Sequence, residues 1–175
     1  LFAGASAAAG TIAVIEMASA SGLALLPPEK RDVWQTTTVG TGELLRAAAE
    51  AGAGAIVLGV GGSATHDLGL GALAALGLRF ETPAGASVMP PIPALWPDIG
   101  RCVGRLSNLP PIFIACDVSN PLLGARGAAA VYGAQKGLRG TDVTRLDHES
   151  ARMALLLCAR CGRPGSASRS RTCLL

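Results

Sequence analysis

Aromatic residues are nearly missing from this 175-residue chain, which has one Tyr, two Trp and three Phe. A two-sheet sandwich needs large side chains to fill the gap between its layers. A chain that is half hydrophobic yet dominated by small Ala and Gly side chains suits helices packed closely on a sheet. Its length is enough for one domain with its own core, so the expectation is a single α/β domain. Long uninterrupted apolar runs are also missing, because glycines and polar residues break every candidate, and no membrane-spanning segment is expected. The opening LFAGASAAAG has neither an initiating Met nor a basic n-region and reads as the interior of a longer sequence, not as a leader. An even cysteine framework is absent too. Cys102, Cys116, Cys158, Cys161 and Cys173 are odd in number, which points to reduced thiols in a cytoplasmic protein. The Cys158-Ala-Arg-Cys161 pair lacks the second half of a zinc site and reads as two thiols on a helix. No basic stripe exists either: the formal charge is +3, but Arg160, Arg163, Arg169 and Arg171 supply four positive charges in a tail without acids. The rest of the chain is weakly acidic, Lys30-Arg31 is a solvated pair, and nucleic acid is not an expected partner.

The segment around which the chain is organised is Ala55 to Leu76, AIVLGVGGSATHDLGLGALAAL. Ile56 to Val60 is short and apolar enough for a buried strand, Gly61-Gly62 breaks it, and apolar residues then return at helical spacing. Ser63 and Thr65 stand where their oxygens would cap the new helix, leaving free backbone N–H groups above the strand end. Such a turn suits an anion, phosphate above all.

Other segments add candidate chemistry. Thr11 to Met17 reads as a strand carrying one carboxylate, Glu16, which needs a partner or a role in that apolar company. Ala18 to Leu26 continues with helix formers until Pro27-Pro28. Thr36 to Gly42 is a polar turn, with Thr41 as cap for a helix from Glu43 to Ala51, in which Arg46 and Glu50 are four apart and Gly52 closes the end. Leu78 to Glu81 reads as a short strand, and Pro90 to Pro97 as an extended surface loop. Ile112 to Cys116 is another buried strand, with Asp117 at its C-terminal end and Asn120-Pro121 in a sharp turn beyond it. Carboxylates at strand ends of open α/β sheets lie at the ligand crevice, which ranks Asp117 first among the acids. Ala128 to Tyr132 forms a short helix, after which Lys136, between glycines, can approach a phosphate. A longer amphipathic helix follows from Thr141, and Gly165 to Thr172 has the composition of a disordered tail.

The glycine turn is not a P-loop, since GxxxxGK[ST] and its lysine are absent. Gly59, Gly61 and Ala64 do match GxGxxA spacing, with Glu81 at the distance of a ribose-binding acid, which makes a nicotinamide-dependent oxidoreductase one alternative. The amides and hydroxyls of Gly61 to Thr65, with Asp67, Asp117 and Lys136, are instead the parts of a phosphoryl-transfer site: donors for phosphate oxygens, carboxylates for Mg²⁺, and an acceptor for a hydroxyl proton.

Four segments, IEMASASGLALLP, TTTVGTGELL, GVGGSATHDLGLGALAALG and ACDVSNPLLGARGAAAVYGAQKG, resemble in order and spacing the bacterial type I glycerate kinases, over Thr11 to about Arg163. The resemblance implies ATP-dependent phosphorylation of D-glycerate to a phosphoglycerate, with Mg²⁺, in the cytoplasm. It implies a two-domain enzyme with the active site between a flavodoxin-like domain and a mixed α/β lobe resembling a restriction-endonuclease core. This chain would supply mainly the mixed lobe, with 1–164 as a partial kinase domain and 165–175 as a disordered or aberrant tail. Asp67 and Asp117 are then the catalytic and Mg²⁺-holding candidates. Gly61, Gly62, Ser63, Thr65, Asn120, Lys136 and Glu16 are candidates for phosphate, nucleotide or substrate. The sequence departs from the family pattern at His66 and Leu68, where Asn and Gly are usual, and at Ala134, where Pro is usual; a His beside Asp67 is expected to alter metal affinity. The family's DSFKG-like and GEGxLD-like segments do not appear, so a non-catalytic remnant is a further alternative.

Overall fold

A computed structural model describes residues 10–161; the expectation for the tail, 165–175, lies outside them. Three short runs rich in β-branched or apolar residues form a parallel sheet in the order β1-β2-β5, from β1 (Ile12–Glu16), β2 (Ala55–Gly59) and β5 (Ile112–Ala115). In register, Ile12 stands opposite Ala55, Glu16 opposite Gly59, and Gly59 opposite Ala115. Side chains alternate across a strand, so Ala13 and Ile15 share one face with Ile56 and Leu58 while Ile12, Val14 and Glu16 point to the other. The first face is covered by α2 (Val39–Glu50), whose Leu45 joins Ile15, Met17, Ile56, Leu58 and Leu76 in one apolar cluster. On the second face Ile12 is 56% and Val14 73% exposed.

Helix α2 also packs on α3 (Leu70–Ala75), and the contact depends on Gly42, where a Cβ would stand 2.6 Å from the carbonyl oxygen of Ala72. Beyond α3 the chain forms an antiparallel hairpin of β3 (Leu78–Glu81) and β4 (Arg101–Gly104). The hairpin lies against α5 (Val143–Arg160), whose Leu146, Met153 and Leu157 recur at helical spacing and bury against Leu78, Phe80, Trp96 and Ile99. Arg152 fastens this layer by donating to the carbonyls of Ile99, at 2.8 Å, and Trp96. The architecture of the described residues is therefore mixed α/β, with one parallel sheet, one antiparallel hairpin and two apolar clusters. Among the described residues no helix is long and apolar enough to cross a membrane.

Several local expectations need correction. The helix after the glycine turn begins at Leu70, not at Ser63, because Leu68 (φ 54°) and Gly69 (φ 74°) hold left-handed backbone just before it. Neither Ser63 nor Thr65 caps it. Helix α2 begins at Val39, so Thr41 lies inside its first turn, buried, with its hydroxyl 2.8 Å from that of Ser21. Ala18 to Leu26 is broken at Gly22, where a Cβ would strike the carbonyl of Ala18, into α1 (Ala18–Ser21) and a 3₁₀ turn. The proline-rich stretch is no surface loop: Pro93–Asp98 is 3₁₀, and Trp96 is fully buried, its Nε1–H bonded to the carbonyl of Pro91 at 3.1 Å. Strand β4 was not anticipated. The short α4 (Ala128–Tyr132), β3 and the Arg46–Glu50 pair, 3.9 Å apart, stand as read.

Candidate functional site

The three parallel strands end side by side, and the ends carry the candidate groups. Glu16 closes β1; its carboxylate lies across Gly59, where a Cβ would come within 2.7 Å of Oε2. A side chain at position 59 would displace this carboxylate from its present place. The ladder continues to the mouth through Met17 N–H to Gly59 O (2.9 Å) and Val60 N–H to Ala115 O (3.2 Å). The chain then reverses at Gly61 and Gly62, both exposed, with Gly62 at φ 68°.

This turn is held from its flanks. Leu23 N–H donates to Gly62 O and Ala64 N–H to Ser21 O, each at 2.8 Å. The amides of Gly61, Gly62 and Ser63 donate to no acceptor among the described residues, and nothing lies within 4 Å of where a Gly61 Cβ would be. Successive free amides around a left-handed glycine form a concavity suited to an anion.

Lys136 reaches the turn from the 3₁₀ segment Ala134–Lys136, which follows α4. Gly137, at φ 87°, lets that backbone pass so close to Arg31 O that a Cβ would overlap it, and this approach carries the lysine inward. The buried ammonium donates to Ser63 Oγ at 2.9 Å and Thr65 O at 2.5 Å. An ammonium has three donors, so one N–H remains for a ligand. Burial lowers the Lys136 pKa to about 8, against the opposing attraction of Asp67, so the group keeps its charge at neutral pH.

Asp67 has a different place from the one expected. It is 1% exposed, and its Oδ2 accepts from Thr38 N–H (2.7 Å), Thr38 Oγ1 (2.9 Å), Gly71 N–H (3.2 Å) and Thr37 Oγ1 (3.4 Å). Its Oδ1 accepts from Gly69 N–H at 3.2 Å. Thr38 Oγ1 in turn accepts from Ala72 N–H at 2.9 Å. The carboxylate thus ties the start of α2 to the start of α3. Burial raises its pKa, opposed by the bonds from Thr38, Gly71 and Gly69. Its oxygens are taken by protein donors, and no group of three His, Cys, Asp or Glu side chains able to hold a metal occurs among the described residues. A protein-built Mg²⁺ site on Asp67 does not fit this arrangement.

His66 turns away from the crevice. Its buried Nε2 lies 3.0 Å from Ser150 Oγ, whose own hydroxyl donates to Leu146 O at 2.7 Å. With that hydroxyl proton engaged, Nε2 is the donor and the ring is the neutral Nε2–H tautomer. Burial, then the charge of Lys136, lowers its pKa to about 4. The expected effect of His66 on a metal therefore has no geometric basis. Thr65 is also buried and holds Lys136 through its carbonyl.

Asp117 lies exposed two residues beyond β5, at the same sheet edge as Glu16 and the turn. Asn120 is bound up in its own loop: Nδ2 donates to Arg126 O (3.1 Å) and Oδ1 accepts from Tyr132 OH (2.7 Å). Glu81 is in the antiparallel hairpin, paired with Arg101 (3.2 Å) and Arg79 (3.6 Å), away from the parallel strand ends where a ribose acid belongs. The helix N-terminus required by a dinucleotide turn is missing as well, since α3 starts eight residues after Gly62. Both observations remove the geometric basis of the oxidoreductase alternative.

The model of the glycerate kinase family matches residues 3–169. Similar proteins include a glycerate kinase of Bacillus subtilis strain 168, 46% identical over 149 residues, covering 83% of this chain and 39% of that protein. A glycerate kinase of Haemophilus influenzae is 42% identical over 158 residues, 88% of this chain and 42% of that protein. The crystal structure assigned to glycerate kinase 2 of Salmonella typhimurium LT2 superposes with a TM-score of 0.78 at 42% identity, covering 85% of this chain and 40% of that one. The chain spans about two fifths of the length of these relatives.

Proposed function

The chain belongs to the glycerate kinase family, and from that premise we propose that it forms one wall of the active cleft of a cytoplasmic enzyme that phosphorylates D-glycerate with ATP. The observation that carries this reading is the turn at 61–63, with three uncommitted amides beside Lys136 at the C-terminal edge of the parallel sheet. Phosphate oxygens fit there through the N–H groups and the remaining ammonium proton, and this donor set stabilises the charge that spreads over a transferring phosphoryl group. The bond from phosphorus to the departing ADP oxygen breaks, a bond to a glycerate oxygen forms, and the hydroxyl proton passes to a carboxylate. Asp117, solvated at the same edge, is the acceptor we assign, and Glu16 lines the crevice from β1. Gly61, Gly62, Ser63 and Lys136 hold phosphate, while Asp67, Thr65 and Asn120 hold the shape of the site. When bound with ATP, Mg²⁺ would supply counter-charge to the nucleotide's phosphates. The lobe of parallel sheet and hairpin corresponds, in this proposal, to the restriction-endonuclease-like half of the family's two-domain enzyme.

The test is a chimera in which residues 3–161 of this chain replace the matching segment of the Bacillus subtilis protein, assayed for ATP-dependent formation of phosphoglycerate. Turnover is expected, with Asp117→Asn lowering it about 100-fold or more, the scale of a lost general base, at an unchanged melting temperature. A folded chimera that leaves ATP and D-glycerate untouched overturns the reading, and full turnover by Asp117→Asn overturns the role of that residue.

A further inference from the structure

We infer that Arg31 is a positioning residue for Lys136, a brace that sets the place of the lysine beside the glycine turn. This deepens the phosphate site proposed above and rests on that reading. The pair Lys30-Arg31 looks merely solvated in sequence, and Lys30 is exposed, but Arg31 is half-buried. Its guanidinium reaches three stretches of backbone: Nε–H donates to Leu26 O at 3.3 Å, Nη1–H to Gln135 O at 3.4 Å and Nη2–H to Leu23 O at 3.4 Å. No acid pairs with it among the described residues, so its bonds go to carbonyl dipoles.

Those carbonyls belong to the two halves of the site. Leu23 gives its own N–H to Gly62 O at 2.8 Å, and Gly22 bridges to Ser63, so the loop 22–26 carries the glycine turn. Gln135 precedes Lys136, and Gly137, which follows it, lies against Arg31 O, where a Cβ would overlap. Both neighbours of Lys136 are therefore seated on one residue, one on its side chain and the other on its main chain. That main chain is itself fixed, since Arg31 N–H donates to Pro28 O at 3.3 Å and Val33, two residues on, is fully buried. Lys136 and Ser63 are 73 positions apart in sequence, and their 2.9 Å bond needs the two backbones at a set separation, which the guanidinium spans. A planar fork serves three acceptors from three nitrogens, whereas an ammonium on a flexible stem acts from one point.

Two readouts on this chain test the brace. The first is the NMR titration of Lys136, followed through its side-chain ¹³Cε resonance in the parent, in Arg31→Met and in Arg31→Lys, which keeps the charge without the fork. The midpoint should rise from about 8 toward the ordinary 10.5, by about one pH unit or more, because a loosened segment lets the ammonium reach water. Arg31→Lys also serves as the second variant should Arg31→Met not fold. The second readout is calorimetric titration with ATP and Mg²⁺, with Arg31→Met and Lys136→Met in a double-mutant cycle. Acting through Lys136, Arg31→Met should weaken binding about three- to tenfold alone and less than about twofold in the Lys136→Met background. An unmoved Lys136 midpoint in the folded variants overturns the inference. Losses that add in full make Arg31 a phosphate ligand in its own right or a general scaffold residue, and overturn it as well. A parent chain without affinity for ATP fails the kinase reading, while the Lys136 titration, which needs no nucleotide, still decides this one.

Discussion

Replacing Asp67 separates a tie from a metal ligand. Its carboxylate collects five hydrogen bonds, three from the backbone amides of Thr38, Gly69 and Gly71, and all but the one from the half-buried Thr37 hydroxyl are buried. Hydrogen bonds to a charged acceptor contribute about 1.5–3 kcal/mol each, and a buried donor left without a partner costs about 1–3 kcal/mol. Relief of the buried charge offsets part of that sum, so Asp67→Ala should destabilise by roughly 3–5 kcal/mol. Asp67→Asn keeps one oxygen toward Thr38 but sets its amide N–H₂ against the Gly69 N–H, for a loss of about 1–3 kcal/mol. Urea denaturation followed by tryptophan fluorescence measures both, and pairing Asp67→Asn with Thr38→Val should show a coupling energy of about 1–2 kcal/mol. A metal ligand would behave in the opposite way, since neutralising an unpaired buried carboxylate stabilises the metal-free protein. An Asp67→Asn variant as stable as the parent, or more so, would refute the tie.

Three further outcomes follow from the same geometry. His66 is buried with a pKa lowered to about 4, so its contribution is intact above its ordinary value of 6.5 and is lost as pH falls toward 4; stability should decline by on the order of 3 kcal/mol over that range. His66→Gln should flatten the decline, and an unchanged slope in urea titrations at stepped pH would contradict it. Burial lowers the Lys136 pKa to about 8, so affinity for ATP should weaken as pH rises through 8, and Lys136→Met should lower it about tenfold at pH 7 and remove the pH dependence; calorimetric titration reads both. Gly42→Ala, which drives a methyl group into the Ala72 backbone, should cost about 1–3 kcal/mol by separating α2 from α3, seen as a lower urea midpoint.

What could be read from the residues alone was mostly local. The runs IAVIE, AIVLG and IFIA are short and apolar or β-branched, and LRFE alternates apolar with charged residues, so these strands emerge from pattern. Strand β4, Arg101–Gly104, has its two apolar residues side by side, without the alternation of LRFE, and exists through its pairing with β3. The late start of α3 was illegible because helix-like spacing from Ala64 onward is overridden by the tie from Asp67 to Thr38, a contact across 29 residues. For the same reason Asp67 resembled a ligand: an acid after a glycine turn suits a metal, and only the threonines packed over it reveal the other use. A hint was present in Thr37-Thr38, two hydroxyls immediately ahead of a helix whose first turn carries no acid. Trp96 among prolines was likewise taken for surface, although its size and the lack of other aromatics favour a core position. Glu16, the glycine turn and Asp117 lie at one sheet edge because strand ends in an open parallel sheet converge by topology, and Lys136 reaches that turn from the 3₁₀ segment after α4.

The most direct test of the phosphate site proposed at the glycine turn is a titration of ¹⁵N-labelled chain with ATP and Mg²⁺, following every backbone amide by NMR. The account predicts that the amides of Gly61, Gly62 and Ser63 shift most, and that Lys136→Met weakens the response at the same three. Largest shifts at the β3–β4 hairpin around Glu81, or shifts at the turn that persist unchanged in Lys136→Met, would contradict it.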